Sequence, residues 1–135
     1  MLAVQRSVNV VALATESLKA QLLAEVDAAM EELQLQGQQL EFRSRRVIAE
    51  LQTTNVHRLV EARREIDEAR ERQDVLHREL VERRRQIEAL APDTPVARGQ
   101  LESIVELREG DNLADKLRPA EIVVRDDIII SISGQ

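Results

Sequence analysis

The sequence predicts an α+β protein, mostly α, in which a long antiparallel helical hairpin forms a coiled-coil stalk on a small β head. Apolar residues recur every three to four positions through the middle of the chain, whereas both ends are rich in valine and isoleucine with strand-like alternation. Phe42 is the only aromatic residue. Helix seams do not need aromatic side chains, whereas globular cores and small-molecule pockets use them for bulk. The head is therefore expected to combine the N-terminal strand with the C-terminal strands.

The composition narrows the function classes. A net charge of −6 argues against a general nucleic-acid binder, which carries a broad basic footprint, and against a polybasic membrane-surface protein. There is no cysteine, so neither disulfides nor thiolate chemistry is available. No apolar run approaches the roughly 18 residues of a membrane span. Ala12-Leu13-Ala14 resembles a signal-peptide cleavage site, but the apolar stretch before it is short and is interrupted by Asn9. We expect a cytoplasmic protein.

Residues 1–14 are predicted to be the N-terminal strand of the head, because apolar residues of one parity alternate loosely with polar ones. These apolar residues are Leu2, Val4, Val8 and Val10. At Thr15 the period changes from two to about 3.6 residues. Thr15 is expected to cap the first helix, and Glu16 in the first turn complements the positive end of the helix dipole.

Residues 15–91 are predicted to form the helical hairpin, because two series of mostly apolar positions advance by steps of three and four. The first series is Leu18, Leu22, Val26, Ala29, Leu33, Leu40, Val47 and Leu51, with Gly37 and Ser44 in the two gaps. The second series is Leu59, Ala62, Ile66, Ala69, Gln73, Leu76, Leu80, Arg83, Ile87 and Leu90. A seam of this width is typical of coiled coils, and a helix that carries it needs a partner.

The segment Thr53-Thr54-Asn55 separates the two series and is the weakest helix-forming cluster of this stretch. Two structures remain open: one continuous helix more than about 100 Å long, or two helices that fold back with a turn near residues 53–55. The second is favoured because the arms are nearly equal in length and because opposite charges then match. The apolar neighbours in this register are Leu33 with Leu76, Leu22 with Ile87 and Leu18 with Leu90. The charged neighbours are Glu25, Asp27, Glu31 and Glu32 on one arm, and His77, Arg78, Arg83, Arg84 and Arg85 on the other.

Residues 92–99 are predicted to be a linker, because Pro92 and Pro95 cannot continue a helix. Residues 100–135 are predicted to hold the C-terminal strands of the head, at 100–108, 120–125 and 128–132. Turn residues separate these strands, namely Glu109-Gly110-Asp111-Asn112 and Asp126-Asp127. The run Ile128-Ile129-Ile130 is an aggregation hazard if exposed, so we expect it to be covered by the N-terminal strand, the helix bases or a second copy. The edges of so small a sheet predict a dimer or a larger homo-oligomer.

The order of these segments resembles the YlqD-like family of uncharacterised bacterial and cyanobacterial proteins. Three stretches carry the resemblance: Thr15-Glu16-Ser17-Leu18-Lys19-Ala20, Glu106-Leu107-Arg108-Glu109-Gly110-Asp111 and Ile122-Val123-Val124-Arg125-Asp126-Asp127-Ile128. The sequence departs from it at Asp127, where a glycine is expected in the turn. The resemblance implies a small cytosolic protein, in some genomes encoded among genes for ribosomal proteins and ribosome maturation, which points towards translation. It implies no catalytic residue.

No constellation of residues supports catalysis, so we predict that the protein is not an enzyme and binds neither a cofactor nor a small-molecule substrate. His57 and His77 have no metal-ligand spacing, so we interpret them as solvated surface residues and predict no metal site. No pair of carboxylates is set in an apolar cleft, as acid–base catalysis requires. The four glycines are too far apart in sequence to form a phosphate-cradling loop.

The segment 42–64 carries a local positive charge. It holds six arginines against Glu50 and Glu61, a net charge of +4, which leaves −10 for the rest of a chain whose total is −6. The arginines are Arg43, Arg45, Arg46, Arg58, Arg63 and Arg64. Because the guanidinium fork suits phosphate, these residues are the predicted contacts to a ribosome or another structured RNA. Arginine is also a good helix former, and the cluster can equally be a solvated surface.

The predicted function is thus that of a non-catalytic adaptor, associated with the ribosome or RNA through the arginine-rich turn, without a membrane partner. The first alternative is a prefoldin-like holdase, which needs exposed apolar side chains near the turn. Phe42, Val56 and Leu59 are the candidates. The second alternative is a plain structural scaffold. An RNA contact weakens steeply with salt, which distinguishes the first function from the other two.

Overall fold

The computed structural model describes residues 1–134. In chain order the elements are β1 (Leu2–Leu13), α1 (Glu16–Thr54), a short 3-10 helix (Val56–Arg58), α2 (Leu59–Glu88), β2 (Pro95–Leu107), α3 (Leu113–Leu117), β3 (Ala120–Arg125) and β4 (Ile128–Ser133). With 57% of the residues in helices and 28% in strands, the chain is an α+β protein. It divides into a sheet unit, made of residues 1–20 and those from 90 onward, and a helical unit, residues 21–89.

The sheet unit holds a four-stranded mixed sheet with the strand order β2-β1-β3-β4. The N-terminal strand β1 is central: it is antiparallel to β2 and parallel to β3, and β3 pairs with β4 in antiparallel fashion. The predicted strands at 120–125 and 128–132 are confirmed. Asp126 and Asp127 make the turn between them with φ angles of 49° and 67°. Two consecutive positive φ angles are what a tight two-residue hairpin requires, and Asp tolerates them better than most residues.

One face of the sheet carries the apolar core of this unit. Val8, Ala12 and Ala120 are 7%, 6% and 4% exposed. Val8 pairs with Ala120 across the parallel ladder, and Ala12 has the same parity as Val8, so all three side chains point to the same side. The loose alternation of β1 in the sequence therefore corresponds to a real inside and outside of the sheet.

Thr15 caps α1, as predicted. Its Oγ1 accepts the backbone N–H of Leu18 at 3.1 Å, which satisfies one of the free amides of the first turn. The same hydroxyl donates to Oδ1 of Asp126 at 2.6 Å. The start of α1 is thereby tied to the hairpin turn between β3 and β4 within the sheet unit.

The long helices are interrupted at Asn55. Thr53 and Thr54 turn their hydroxyls back to the carbonyl of Glu50, at 3.0 and 2.7 Å, and these contacts compete with regular helix propagation. Asn55 is extended, with φ −158° and ψ 86°, and helix geometry resumes in the 3-10 turn that follows. The chain therefore does not form the single continuous helix that the sequence left open.

The prediction of a long antiparallel helical hairpin that serves as a coiled-coil stalk is wrong. The described residues form three α-helices, two of them long, and the division into units runs through α1 after Ala20. A coiled coil buries its apolar seam along its whole length, but Ile87 is the only buried residue of α2, a helix that the structure describes in full. The predicted seam residues Val47 and Leu76 are 41% and 43% exposed. The spacing identifies the more apolar face of each helix but not how that face is covered.

Two features of the C-terminal part differ from the sequence prediction. β2 begins at Pro95, so the strand includes most of the residues that were predicted to be a linker at 92–99. The helix α3 was not predicted. Asn112 caps it by accepting the backbone N–H of Asp115 at 3.1 Å. A helix of five residues is too short to show an apolar period.

Candidate phosphate-binding surface

The six predicted arginines lie on three consecutive elements around the helix break at Asn55. Arg43, Arg45 and Arg46 belong to α1, Arg58 to the 3-10 helix, and Arg63 and Arg64 to α2. All six are exposed. At 1.5 Å per helical residue, the most distant one, Arg43, lies about 18 Å along the helix from the break. We refer to these six residues as the arginine cluster.

Several arginines outside this cluster are neutralised by carboxylates within the helical unit. Arg70 donates through Nε to Glu41 at 2.7 Å and also contacts Asp67 at 3.3 Å. The hydrogen bond from Arg70 holds the pKa of the Glu41 carboxyl below its ordinary value, and the same contact raises the pKa of Arg70. These guanidinium groups have partners already and are poor candidates for an external anion.

Two more arginines of α2, Arg84 and Arg85, are also paired with carboxylates. Arg84 donates through Nε to Asp27 at 2.9 Å and also pairs with Glu88, and the Asp27 contact raises the pKa of Arg84. Arg85 pairs with Glu82 at 2.6 Å, which lowers the pKa of the Glu82 carboxyl. Arg84 and Arg85 are thus compensated, whereas their neighbour Arg83 has no ion pair among residues 1–134.

The arginine cluster is different, because most of its members lack a carboxylate partner. Within residues 1–134, the side chains of Arg43, Arg58 and Arg63 form no hydrogen bond or ion pair. Arg64 approaches Glu68 only to 3.9 Å, with both side chains at least 60% exposed. Arg46 lies over the ring of Phe42, 6.0 Å from its centroid. Contacts of these two kinds leave the guanidinium donors accessible.

Arg43 shares a shallow cleft with Arg72, an arginine of α2 outside the cluster. The cleft has a volume of about 360 Å³, and we call it the arginine cleft. None of its nine lining residues, all of them in the described helices, is acidic. They are Arg43, Arg72, Gln36, Gln39 and Gln73, with the apolar Leu33, Leu40, Ala69 and Leu76. Arg72, like Arg43, has no ion pair among residues 1–134. Two guanidinium groups without an ion pair and three glutamine side chains therefore line the same cleft.

Sequence reasoning missed Arg72 because it lies beyond the positive segment 42–64 and stands between Glu71 and Asp74. A usable signal existed. Arg43 directly precedes Ser44 and Arg72 directly precedes Gln73, and both following residues belong to the predicted seam series. An arginine next to a seam position on each helix borders the same groove when the two helices are neighbours.

A second, larger cleft of about 740 Å³ holds Arg45 among mixed charges. Arg70, Glu41 and Asp74 also line it. Arg45 contributes to the lowered pKa of Glu41, though less than the hydrogen bond from Arg70 does. The two residues that the sequence grouped together therefore differ in their surroundings. Arg43 lines a cleft without carboxylates, whereas Arg45 lines a cleft that contains Glu41 and Asp74.

The two histidines contribute nothing to this surface. His77 lines a shallow cleft with Glu31 and Asp74, and His57 is exposed in the 3-10 helix. In the part of the chain that the structure describes, no three His, Cys, Asp or Glu side chains are placed to hold a metal ion. None of the helices described is both long and apolar enough to cross a bilayer.

Comparisons with known proteins identify a family and a similar solved structure. The sequence profile of the YlqD protein family matches residues 2–133. The chain is also similar to a crystal structure of a protein of unknown function from Synechococcus sp. WH 8102, with a TM-score of 0.88 and 28% identity. The similarity covers 97% of this chain and 95% of that chain. No curated protein matches the sequence.

Proposed function

The chain belongs to the YlqD family, whose members have no assigned activity, and from its surface we propose that it is a non-catalytic adaptor that binds structured RNA. The arginine cleft and the neighbouring arginine cluster are the binding surface. The observation that carries the proposal is the contrast in pairing: Arg70, Arg84 and Arg85 are held by carboxylates, whereas Arg43, Arg63 and Arg72 are not.

Phosphate is the ligand chemistry that this surface favours. A free guanidinium offers paired N–H donors that match two phosphate oxygens, and Arg43 and Arg72 present two such groups on one cleft. Gln39 and Gln73 of the cleft supply further neutral donors, whereas the amide of Gln36 already donates to Glu32 at 3.3 Å. Sites of this kind contact the phosphate backbone of a nucleic acid and position it without recognising its bases.

The scarcity of aromatic residues favours a structured rather than a single-stranded partner. Proteins that bind single strands stack the bases on aromatic side chains. Phe42 is the only Phe, Tyr or Trp of the chain, and Arg46 already lies over its ring. The proposed contact is therefore with phosphates displayed at fixed spacing on a helical RNA.

The test is binding of a labelled RNA hairpin, followed by fluorescence anisotropy as a function of salt. The double variant Arg43→Glu/Arg72→Glu should weaken binding about tenfold or more, because two charge-assisted contacts are lost. It should also flatten the log–log salt slope by about two, as two fewer phosphates are neutralised. A DNA duplex of the same sequence shows whether the 2′-hydroxyl contributes.

A matched control separates the cleft from net charge. Arg108→Glu/Arg118→Glu changes the charge by the same amount on exposed side chains of the sheet unit. Affinity should fall by less than about threefold in this control, because neither side chain lines the arginine cleft and an exposed charge outside the contact adds only a weak, salt-screened attraction. Equal losses in the two double variants would contradict the proposal.

One observation favours the alternative of a holdase. Phe42, Val56 and Val60 are 65%, 63% and 78% exposed near the helix break, and exposed apolar groups are what a holdase needs to grip an unfolded chain. The triple variant Phe42→Ser/Val56→Ser/Val60→Ser tests this function in an assay of aggregation of a reduced, unfolded protein. If the unmodified chain suppresses aggregation and the triple variant does not, the holdase replaces the RNA adaptor.

A further inference from the structure

β4 is an edge strand whose exposed side chains are mostly isoleucine. In the described chain it pairs with β3 alone, so the outer backbone groups of β4 have no strand partner. Ile128, Ile129, Ile130 and Ile132 are 67%, 55%, 46% and 47% exposed. An edge of this kind is a template for another strand, and soluble proteins usually protect it with charges, proline or a bulge.

The opposite edge, β2, carries these protections and β4 largely lacks them. The protective residues of β2 are Pro95, Arg98, Gly99, Glu102 and Glu106, and its ladder to β1 is broken by a register shift beside Gly99. Residues 128–133 contain no charge, no proline and no glycine. The register shift of the β3–β4 ladder leaves Ile130 without a partner on β3, so β4 has one bulge as β2 does, but its bulged residue is apolar whereas that of β2 is Arg98. Since Ile104 of β2 is itself 74% exposed, the two edges differ in protection rather than in exposure.

We infer that β4 pairs with β4 of a second copy of this chain in antiparallel fashion, so that two four-stranded sheets become one sheet of eight strands. The charges at the two ends of β4 select both the partner and the direction. Asp126 and Asp127 stand just before the strand. Just after it, Arg6 donates through Nη1 to the carbonyl of Gly134 at 2.6 Å, which places a positive charge at an end where Glu121, the β3 partner of Ser133, is the nearby acid on the ladder.

Antiparallel pairing about a twofold axis sets the acidic end of each strand beside the basic end of the other, and symmetry repeats the match. Parallel pairing would instead bring the aspartates of the two copies together. Because β4 is uncharged and its two ends carry opposite charges, it can pair with β4 of a second copy. This inference does not depend on the phosphate-binding proposal, because it uses only the sheet unit.

The pairing is testable by sedimentation velocity. A six-residue strand gives a contact about 20 Å long, which is at the small end of specific interfaces, so the dimer should dissociate on dilution. The unmodified protein should pass from the 15.3 kDa monomer to twice that mass between about 1 and about 200 μM. A monomer at the highest concentration overturns the inference.

Lysine substitutions on the two edges provide a matched pair. Ile130→Lys places two like charges near the twofold axis and should keep the protein monomeric, whereas Ile104→Lys on β2 should leave dimerisation unchanged. Ile128→Lys, at a more exposed position, serves if Ile130→Lys fails to fold by circular dichroism. A dimer that survives both β4 substitutions, or that is lost with Ile104→Lys alone, overturns the assignment of the interface to β4.

Cysteine cross-linking tests the direction, since the chain has no native cysteine. Antiparallel strands place Ile128 of one copy near Ile132 of the other, within the distance that a disulfide spans. A mixture of Ile128→Cys and Ile132→Cys should therefore oxidise to a mixed dimer more readily than either variant alone. Self-linked dimers of each variant in preference to the mixed species would show parallel pairing and overturn the inference.

Discussion

Replacing Thr15 by valine should destabilise the sheet unit by about 2 kcal/mol. Valine keeps the branched shape of threonine but removes the hydroxyl that accepts from the Leu18 amide and donates to the Asp126 carboxylate. Loss of an N-cap costs about 1 kcal/mol. Loss of a hydrogen bond to a carboxylate at an exposed position adds about 1 kcal/mol. The two bonds share one oxygen, so they polarise each other and are lost together.

Urea unfolding followed by circular dichroism measures this loss, which corresponds to a fall of roughly 8 °C in Tm for a chain of this length. Hydrogen exchange adds a local signal, because the amide of Leu18 should exchange faster once its acceptor is gone. Thr15→Ser keeps the hydroxyl and should lose less than about 0.5 kcal/mol. If Thr15→Val loses no more than Thr15→Ser, or if the Leu18 amide exchanges as before, the hydroxyl does not tie α1 to the β3–β4 turn.

Two further substitutions test burial and turn geometry. Leu22→Ala should lower the free energy of unfolding by about 2–4 kcal/mol because Leu22 is 3% exposed, whereas Leu35→Ala, at 49% exposure on the same helix, should lower it by less than about 1 kcal/mol. Equal shifts of the urea midpoint for these two variants would contradict the burial assigned to Leu22. Asp127→Gly should raise the free energy of unfolding by about 0.5–1 kcal/mol, because glycine adopts a φ of 67° without the steric penalty of a Cβ. A lower urea midpoint would mean that the Asp127 side chain contributes more than its backbone conformation costs.

Structural features that depend only on residues close together in the sequence were predictable. Thr15 was recognised as a cap and Asp126-Asp127 as a hairpin turn, because a cap and a two-residue turn are determined by a few adjacent side chains and backbone angles. The break near residues 53–55 belongs to the same class, since Thr53 and Thr54 form hydrogen bonds to a carbonyl within their own helix. Short-range chemistry of this kind needs no knowledge of the tertiary structure.

The coiled-coil stalk failed as a prediction because the covering of a helix face is a long-range property. The spacing of three and four correctly placed Leu22, Val26 and Leu33 among the buried residues of α1. It equally selected Val47 and Leu76, which remain substantially exposed. Periodicity records the direction in which a side chain points, whereas burial also depends on which atoms lie opposite, and these come from distant parts of the sequence.

The candidate site was also predicted only in part, because it too depends on residues that are distant in the sequence. A count of charge in a sequence window identified Arg43, but it grouped Arg43 with Arg45 and left out Arg72. Whether an arginine is free depends on the carboxylates near it in space: Arg70 and Arg72 are two residues apart, yet only Arg70 is paired. The opposite-charge matching of the sequence did include Asp27 and Arg84, which are in contact at 2.9 Å. Pairing opposite charges along the sequence identifies arginines that are neutralised. It does not identify the arginines that remain without a carboxylate partner.

A net charge of −6 is compatible with binding a polyanion because the arginine cleft has no acidic lining residue and part of the negative charge is compensated in ion pairs. Glu41, Asp27 and Glu82 are each compensated by an arginine at 2.6–2.9 Å. At physiological ionic strength charges beyond about 8 Å are screened, so the potential at the arginine cleft is set by Arg43, Arg72 and their immediate neighbours. An approaching phosphate therefore encounters two uncompensated guanidinium groups before it encounters the net charge of the chain. The net charge argues against a protein that binds nucleic acid over a large basic surface. It does not argue against a small phosphate contact, because the local field at the cleft is positive.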